Sequence, residues 1–329
     1  MQKNYIKPFH DFLKSEQIGG ALLLFCVIIS LLIANSSWGT TFNQLLAYEI
    51  GFKSDHLALR YPLSLWVNDG LMAIFFLLVG LEIKREILEG ELSSLKKATM
   101  PLFAALGGML VPAAIFVLFN QNTPTSNGWA IPMATDIAFA LGILSLLRKQ
   151  VPISLTIFLA ALAVADDLGA ILVIAFFYTE QLHWNYLFYA LGVCLLLYSF
   201  NFLGIKRIIF YIIPGILLWY FIHHSGIHAT IAGVLLAFSI PTSPDKSASP
   251  LEKLEHAIVR PVTFLIMPIF ALANTNIQLE SSMINGLTSP LGLGIIFGLA
   301  LGKPLGIVLF SWISAKLGLS SLPSRPNWK

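Results

Sequence analysis

The chain has 329 residues, 57% of them hydrophobic and only 11% charged, with a mean hydropathy of +0.79. Soluble domains carry about 25% charged residues, so this composition excludes an ordinary soluble protein and requires several membrane-crossing segments. The net charge of +3 is spread over connecting segments and not gathered on one face, which offers nucleic acid no basic surface.

Apolar runs place ten candidate helices at 18–35, 63–88, 98–119, 128–147, 153–178, 184–202, 206–222, 226–240, 255–273 and 290–315. Their connections are short, so the reading is an all-α polytopic membrane protein whose residues 1–329 form a single transmembrane domain. The first run follows a mixed-charge lead, Met1–Glu16, and reads as a retained helix, not a cleaved leader. With the N-terminus placed in the cytoplasm, sixteen lysines and arginines fall on the inner side, against Lys53 and Arg60 outside. That asymmetry fits the positive-inside rule. Cys26 and Cys194 lie in apolar runs and are expected to be buried thiols, not a disulfide or metal ligands.

Between the first two spans, residues 46–62 alternate polar and apolar side chains around Phe52-Lys53-Ser54-Asp55, which suits either a short outer β-hairpin or an irregular loop. A hairpin there would offer an edge for pairing with a second copy. The second span contains Asp69 and ends in a dense group of charges: Glu82, Lys84, Arg85, Glu86, Glu89 and Glu91. Glu82 and Glu86 share a helix face, with Arg85 beside them. Such a group is either a solvated helix end or a regulatory cluster. In the fourth span Pro132 removes a ladder hydrogen bond just before Thr135 and Asp136, so a helix break at membrane depth is expected. The fifth carries Asp166 and Asp167 and no other charge.

The eighth span opens at His223-His224 and places Gly226, Ala229, Gly233 and Ala237 for close packing. His228 near its boundary is either an interfacial histidine or a proton-responsive one. Glu255, His256 and Arg260 begin the ninth span. In the tenth, Gly294, Gly298, Gly302 and Gly306 recur every four residues and form a smooth stripe for another helix. Lys303 borders that stripe and precedes Pro304.

The intramembrane ionisable set is therefore Asp69, Asp136, Asp166, Asp167 and Lys303. A charged side chain at the bilayer centre costs about 2.5–3.5 kcal/mol on insertion scales unless it meets water, a cation or a partner. Consecutive helical residues point about 100° apart. One of Asp166 and Asp167 should thus serve an ion site, and the other should meet an intramembrane cation, for which Lys303 is the best candidate. Carboxylate oxygens and the Thr135 hydroxyl suit a proton or a hard alkali cation such as Na⁺ or Li⁺, and no Cys/His cluster suggests a transition metal. The site would take Na⁺ at Asp166 and Asp167 as cargo and needs no cofactor.

The runs LMAIFFLLVGLEIKREILEGEL, AIPMATDIAFALGIL, ALAVADDLGAILVIAFFY, HSGIHATIAGV, LEHAIVRPVTFLIMPIFALAN and LGKPLGI resemble the bacterial NhaA-type sodium/proton antiporters, in order and over nearly the whole chain. The resemblance implies the inverted-repeat fold with a broken fourth helix for which this family is itself a standard example. It implies that Asp167 is the principal cation- and proton-binding carboxylate, and that Asp166 pairs with Lys303. Thr135 and Asp136 would belong to the unwound crossing segment. Glu82, Arg85, Glu86, Glu255, His256 and His228 would belong to the pH response, and Asp69 would be an auxiliary acid. It further implies electrogenic exchange for pH and sodium homeostasis, more active at alkaline pH, in a bacterial inner membrane. A homodimer would form through the hairpin near 46–60, within the lipid bilayer.

The family has twelve helices, so the chain is expected to lack the last two, either as a fragment or as a truncated, transport-inactive paralogue. An enzyme is disfavoured. An intramembrane aspartyl protease needs carboxylates facing each other from separate helices and a Gly-x-Gly-Asp motif, and the sequence has none.

Overall fold

The structure, a computed structural model, describes residues 6–52, 59–90, 92–135, 151, 153–179, 182–243 and 249–320. In chain order the elements are α1 (Ile6–Ala34), α2 (Gly39–Ala47), β1 (Glu49–Ile50), β2 (Tyr61–Pro62), α3 (Leu63–Glu89), α4 (Leu95–Asn120), a 3₁₀ segment (Ser126–Met133), α5 (Ile153–Phe177), α6 (Trp184–Phe202), α7 (Ile209–Ser225), α8 (Ile231–Ser239), α9 (Pro250–Asn274), α10 (Ser282–Gly286) and α11 (Pro290–Lys316). Six of the described helices are long and apolar enough to cross a membrane, or seven if the bent pair Ile18–Ala34 and Gly39–Ala47 counts as one span. Side chains such as Leu118, Phe176 and Phe202, at 75%, 77% and 93% exposure, have no protein against them, which is the surface a lipid-facing helix requires.

The contacts divide the chain into two units. The first holds Arg85–Ile174 and Glu280–Lys329, and thus α4, the 3₁₀ segment, most of α5, and α11. The expected glycine stripe is its seam. A side-chain carbon at Gly298 would stand 2.7 Å from Pro132, and one at Gly302 would stand 3.0 Å from the Pro112 backbone. Gly306 and Gly107 face each other so closely that a side chain on either would collide with the other's carbonyl. Small residues let two backbones meet in this way, and packing then supplies the association that lipid cannot. Around α5, Ala104 and Ala105 of α4 pack against Leu162 and Ala165.

Among the described residues three turns widen to π-helix: Trp66–Leu71 in α3, Val262–Ile266 in α9 and Gly298–Gly302 in α11. In the latter two a proline follows, Pro268 and Pro304. Its missing N–H removes one ladder bond to the widened turn, and its ring pushes the preceding carbonyl aside. For the turn at Trp66–Leu71 there is no such proline.

The second unit holds Ile18–Lys84 and Ala175–Leu279. Its core is built by α3, α6, α7 and α8 around Leu81, Leu197, Tyr211, Leu218, Ala237 and Ile240. β1 and β2 pair antiparallel, Glu49 with Pro62 and Ile50 with Tyr61, and Arg60 meets Glu49 at 3.0 Å. The expected eighth span is corrected here. Helix α7 continues through His223 and His224 to Ser225 and ends at Gly226, whose φ of +89° stops it, and α8 begins only at Ile231. Gly226 is therefore a helix terminator and Ala229 precedes the helix. Gly233 and Ala237 do serve close packing, against α3. The fourth span is 3₁₀ from Ser126 to Met133, and its remainder, with Asp136, lies outside the described residues.

Substituting leucine for Gly306 should force α4 and α11 apart and cost about 1–3 kcal/mol of stability. Gly192→Leu, at a position open on all sides, should change stability by less than about 0.5 kcal/mol. Thermal unfolding of the two variants in detergent, followed by circular dichroism, checks the contrast.

Candidate functional site

The first unit gathers three of the predicted residues on one spot. The 3₁₀ segment, with Pro132 inside it, ends at Met133, and Ala134 and Thr135 then leave helical conformation, so the Met133 carbonyl stands at a helix end in need of a donor. Lys303, at the start of the regular part of α11, fills that need. Its Nζ donates to the Met133 carbonyl and, at 2.8 Å, to Asp166 Oδ2. The Thr135 hydroxyl donates to the same carboxylate oxygen. The side chains of Lys303 and Asp166 are 13% and 6% exposed, so this is a buried ion pair reinforced by two further hydrogen bonds. Such reinforcement is what makes a buried pair tolerable at all.

The other carboxylate oxygen, Asp166 Oδ1, is buried without a hydrogen-bond partner among the described residues. A buried acceptor left unmade is costly, and an alkali cation would satisfy it. Beside it lies a cavity of about 310 Å³ lined by Gly108, Thr135, Leu159, Leu162, Ala163, Asp166, Leu299, Lys303, Pro304 and Ile307. Its polar groups are the threonine, the aspartate and the lysine, with apolar walls otherwise. Asp167 is half-buried and does not line this cavity. Among the described residues no three His, Cys, Asp or Glu side chains converge as a transition-metal site would require, and both cysteines are free thiols.

The other predicted residues among those described do not line that cavity. Arg85 and Glu86 belong to the first unit and meet at 3.9 Å, both partly exposed, a long and partly solvated ion pair of small worth. Glu82, His228, Glu255 and His256 belong to the second. There Glu82 is half-buried, Glu255 is buried and His256 exposed. His228 is exposed, with its Nδ1 2.9 Å from the Thr230 hydroxyl. Asp69 is also in the second unit, and its carboxylate lies 3.0 Å from Nδ1 of His223.

Two residues carry roles that the sequence reading did not single out. His223 is the partner of Asp69, and the HH pair preceding Gly226 was its only sequence signal. Lys84 donates to the carbonyls of Phe238 and Ile240 at the C-terminal end of α8, where unsatisfied carbonyls and the helix dipole favour a cation. A lysine in the charged run after the second span gave no hint of that target.

Replacing Lys303 by methionine leaves Asp166 buried and uncompensated, and should destabilise the protein by about 3–5 kcal/mol. A lone carboxyl can shed its charge by taking up a proton, so the loss should be smaller at acidic than at alkaline pH. Lys303→Met combined with Asp166→Asn should recover part of it. Unfolding by a denaturing detergent across pH, on single and double variants, checks these outcomes.

The family described as Na⁺/H⁺ antiporter 1 matches residues 10–329. A relative from Flavobacterium johnsoniae named Na(+)/H(+) antiporter NhaA 2 is 61% identical over 98% of this chain and 79% of its own length. A Na(+)/H(+) antiporter NhaA from Flavobacterium psychrophilum is 50% identical over 98% of the chain and 82% of its own length. Another, from Pelagibacter ubique, is 50% identical over 100% of the chain and 85% of its own length. With a family match spanning nearly every residue and relatives this similar, the chain belongs to the Na⁺/H⁺ antiporter 1 family.

Proposed function

We propose that this protein exchanges Na⁺, and Li⁺, for protons across a bacterial inner membrane, using the Asp166–Asp167 pair. The observation that carries this reading is the buried Lys303–Asp166–Thr135 cluster, with its orphaned Asp166 Oδ1, beside a small cavity at a break in the fourth span. Lys303 neutralises Asp166 and fixes it. Asp167, one residue on and half-buried, is then assigned the exchange itself, holding a proton and a cation in turn. Two carboxylates so close resist sharing full charge, so proton and cation compete, and that competition couples the two fluxes.

Family membership supports the same reading, since the relatives are named sodium/proton antiporters. The distribution of lysine and arginine supports a cytoplasmic N-terminus and about ten spans. The β1–β2 ladder, exposed on β1 and half-buried on β2, is a candidate contact for a homodimer. Glu82, Arg85, Glu86, His228, Glu255 and His256 are candidates for tuning the rate with pH, and Asp136 for completing the broken span.

In everted vesicles, Na⁺ should dissipate a pre-formed pH gradient, and Asp167→Asn should abolish that response. The apparent KM for Na⁺ should rise as pH falls, approaching about tenfold per unit where protons hold the site, as competition requires. Fluorescence quenching of a pH-gradient dye over a Na⁺ series at several pH values measures both.

A further inference from the structure

Far along the chain from the Asp166 cluster, the second unit contains a separate group of titratable side chains at the end of α7 nearest β2. The widened turn Trp66–Leu71 turns both polar groups of Asp69 toward α7. The Asp69 carbonyl accepts from Trp219 Nε1 at 3.0 Å, and the carboxylate meets His223 Nδ1 at 3.0 Å. Trp219 and His223 are four residues apart and so share one face of α7. Trp66 stacks on Trp219 (5.8 Å, 22°), and Trp219 stacks on His223 (5.6 Å, 16°). Tyr61 of β2 completes the enclosure, its ring 4.9 Å from that of His223. The carboxylate and the indole face both complement a cation at the imidazole.

The neighbouring His224 is built the opposite way. Its Nδ1 must carry a hydrogen, because it lies 2.9 Å from the Tyr220 carbonyl, which can only accept. Its Nε2 is then free to accept from the Tyr61 hydroxyl at 3.1 Å. The neutral ring is fully satisfied. Burial, then the nearby Tyr220, Tyr186 and Asp69, hold the Tyr61 phenol above its ordinary range, so it remains a donor. The other titratable neighbours are His183, just before α6, and Tyr186 on α6. Asp69 is the carboxylate of this group among the described residues. Of the two histidines, His223 is the one whose surroundings accommodate a proton.

We propose that Asp69 and His223 form a second proton-binding site, at the hairpin end of the membrane domain, whose occupancy sets how firmly the widened turn of α3 is held to α7 and thereby the rate of exchange. With the proton bound, an ion pair ties the two helices. Without it, the neutral imidazole can still donate one hydrogen bond to the poorly solvated carboxylate, but the ion pair is gone and the tie weakens. Exchange should therefore respond to pH on the hairpin side independently of proton competition at Asp167. The transport consequence rests on the antiport reading, whereas the proton site itself does not.

The test has two arms, on the intact chain, on His223→Asn and on Asp69→Asn. Asparagine at 223 keeps an N–H near the Nδ1 position but cannot take the charge. An imidazolium stacked on an indole quenches its emission, so tryptophan fluorescence of the unmodified protein should titrate, and the titration should vanish in His223→Asn and shift in Asp69→Asn. In proteoliposomes with the opposite-side pH clamped, the hairpin-side pH profile of Na⁺ exchange should shift by about one unit in His223→Asn, with the opposite-side profile unchanged. Emission at alkaline pH matching that of the unmodified protein shows that the variant packs correctly. A fluorescence titration that survives in His223→Asn, or a hairpin-side profile that superimposes on the original, overturns the proposal. Should the unmodified chain show no exchange, the antiport reading fails and the fluorescence arm alone decides the proton site.

Discussion

A carboxylate cannot stay charged among hydrocarbon side chains unless a cation or several donors meet it. At Asp166 that requirement is met by Lys303 and Thr135 on one oxygen and left open on the other. Much of the first unit is arranged around it. The glycine stripe of α11 lets that helix approach α4 closely. The widened turn before Pro304 sets the start of the regular helix at Lys303, and the break after Pro132 presents both Thr135 and the Met133 carbonyl. Remove the stripe or the break, and lysine and aspartate lose the geometry that makes their burial tolerable.

This arrangement gives the adjacent aspartates different work. Asp166 is tied to a fixed ammonium group, so its charge is compensated whatever the state of the site. Asp167, about 100° round the helix, does not line the cavity beside that pair, and in the proposed exchange it is the carboxylate that takes the arriving ion. A proton and an alkali cation are then alternatives, which is the minimum needed for exchange. The second unit repeats the theme with different chemistry. Asp69 is met by an imidazole, a partner whose charge itself depends on pH.

Legibility from sequence followed the reach of each interaction. The helix at 184–202 has the same limits in the structure, because a continuous apolar run fixes its own ends. The four-residue glycine spacing of α11 announced a close crossing, since a stripe needs only helical periodicity, and Pro132 announced a break. Gly226 was misread because a glycine permits both close packing and a left-handed turn, and only the φ of its backbone tells which. The residues alone left open which aspartate meets Lys303, since both lie one step from the same face. No partner for Asp69 was legible in the sequence because His223 lies 154 residues away on another helix, and no local pattern encodes that meeting. Lys84 shows the same limit: its targets are backbone carbonyls, which every residue possesses.

The central claim is that Asp167 exchanges a proton for Na⁺ while Asp166 stays ionised against Lys303. Infrared difference spectroscopy of the purified protein, recorded on adding Na⁺ at fixed pH, observes it directly through the carbonyl stretch of a protonated carboxyl group. The account predicts that Na⁺ removes one such band, and that the change is absent in Asp167→Asn but persists in Asp136→Asn and Asp69→Asn. A band that survives Asp167→Asn and disappears instead with Lys303→Met or Asp166→Asn would contradict it, and would make the lysine-bound aspartate the carrier of the exchanged proton.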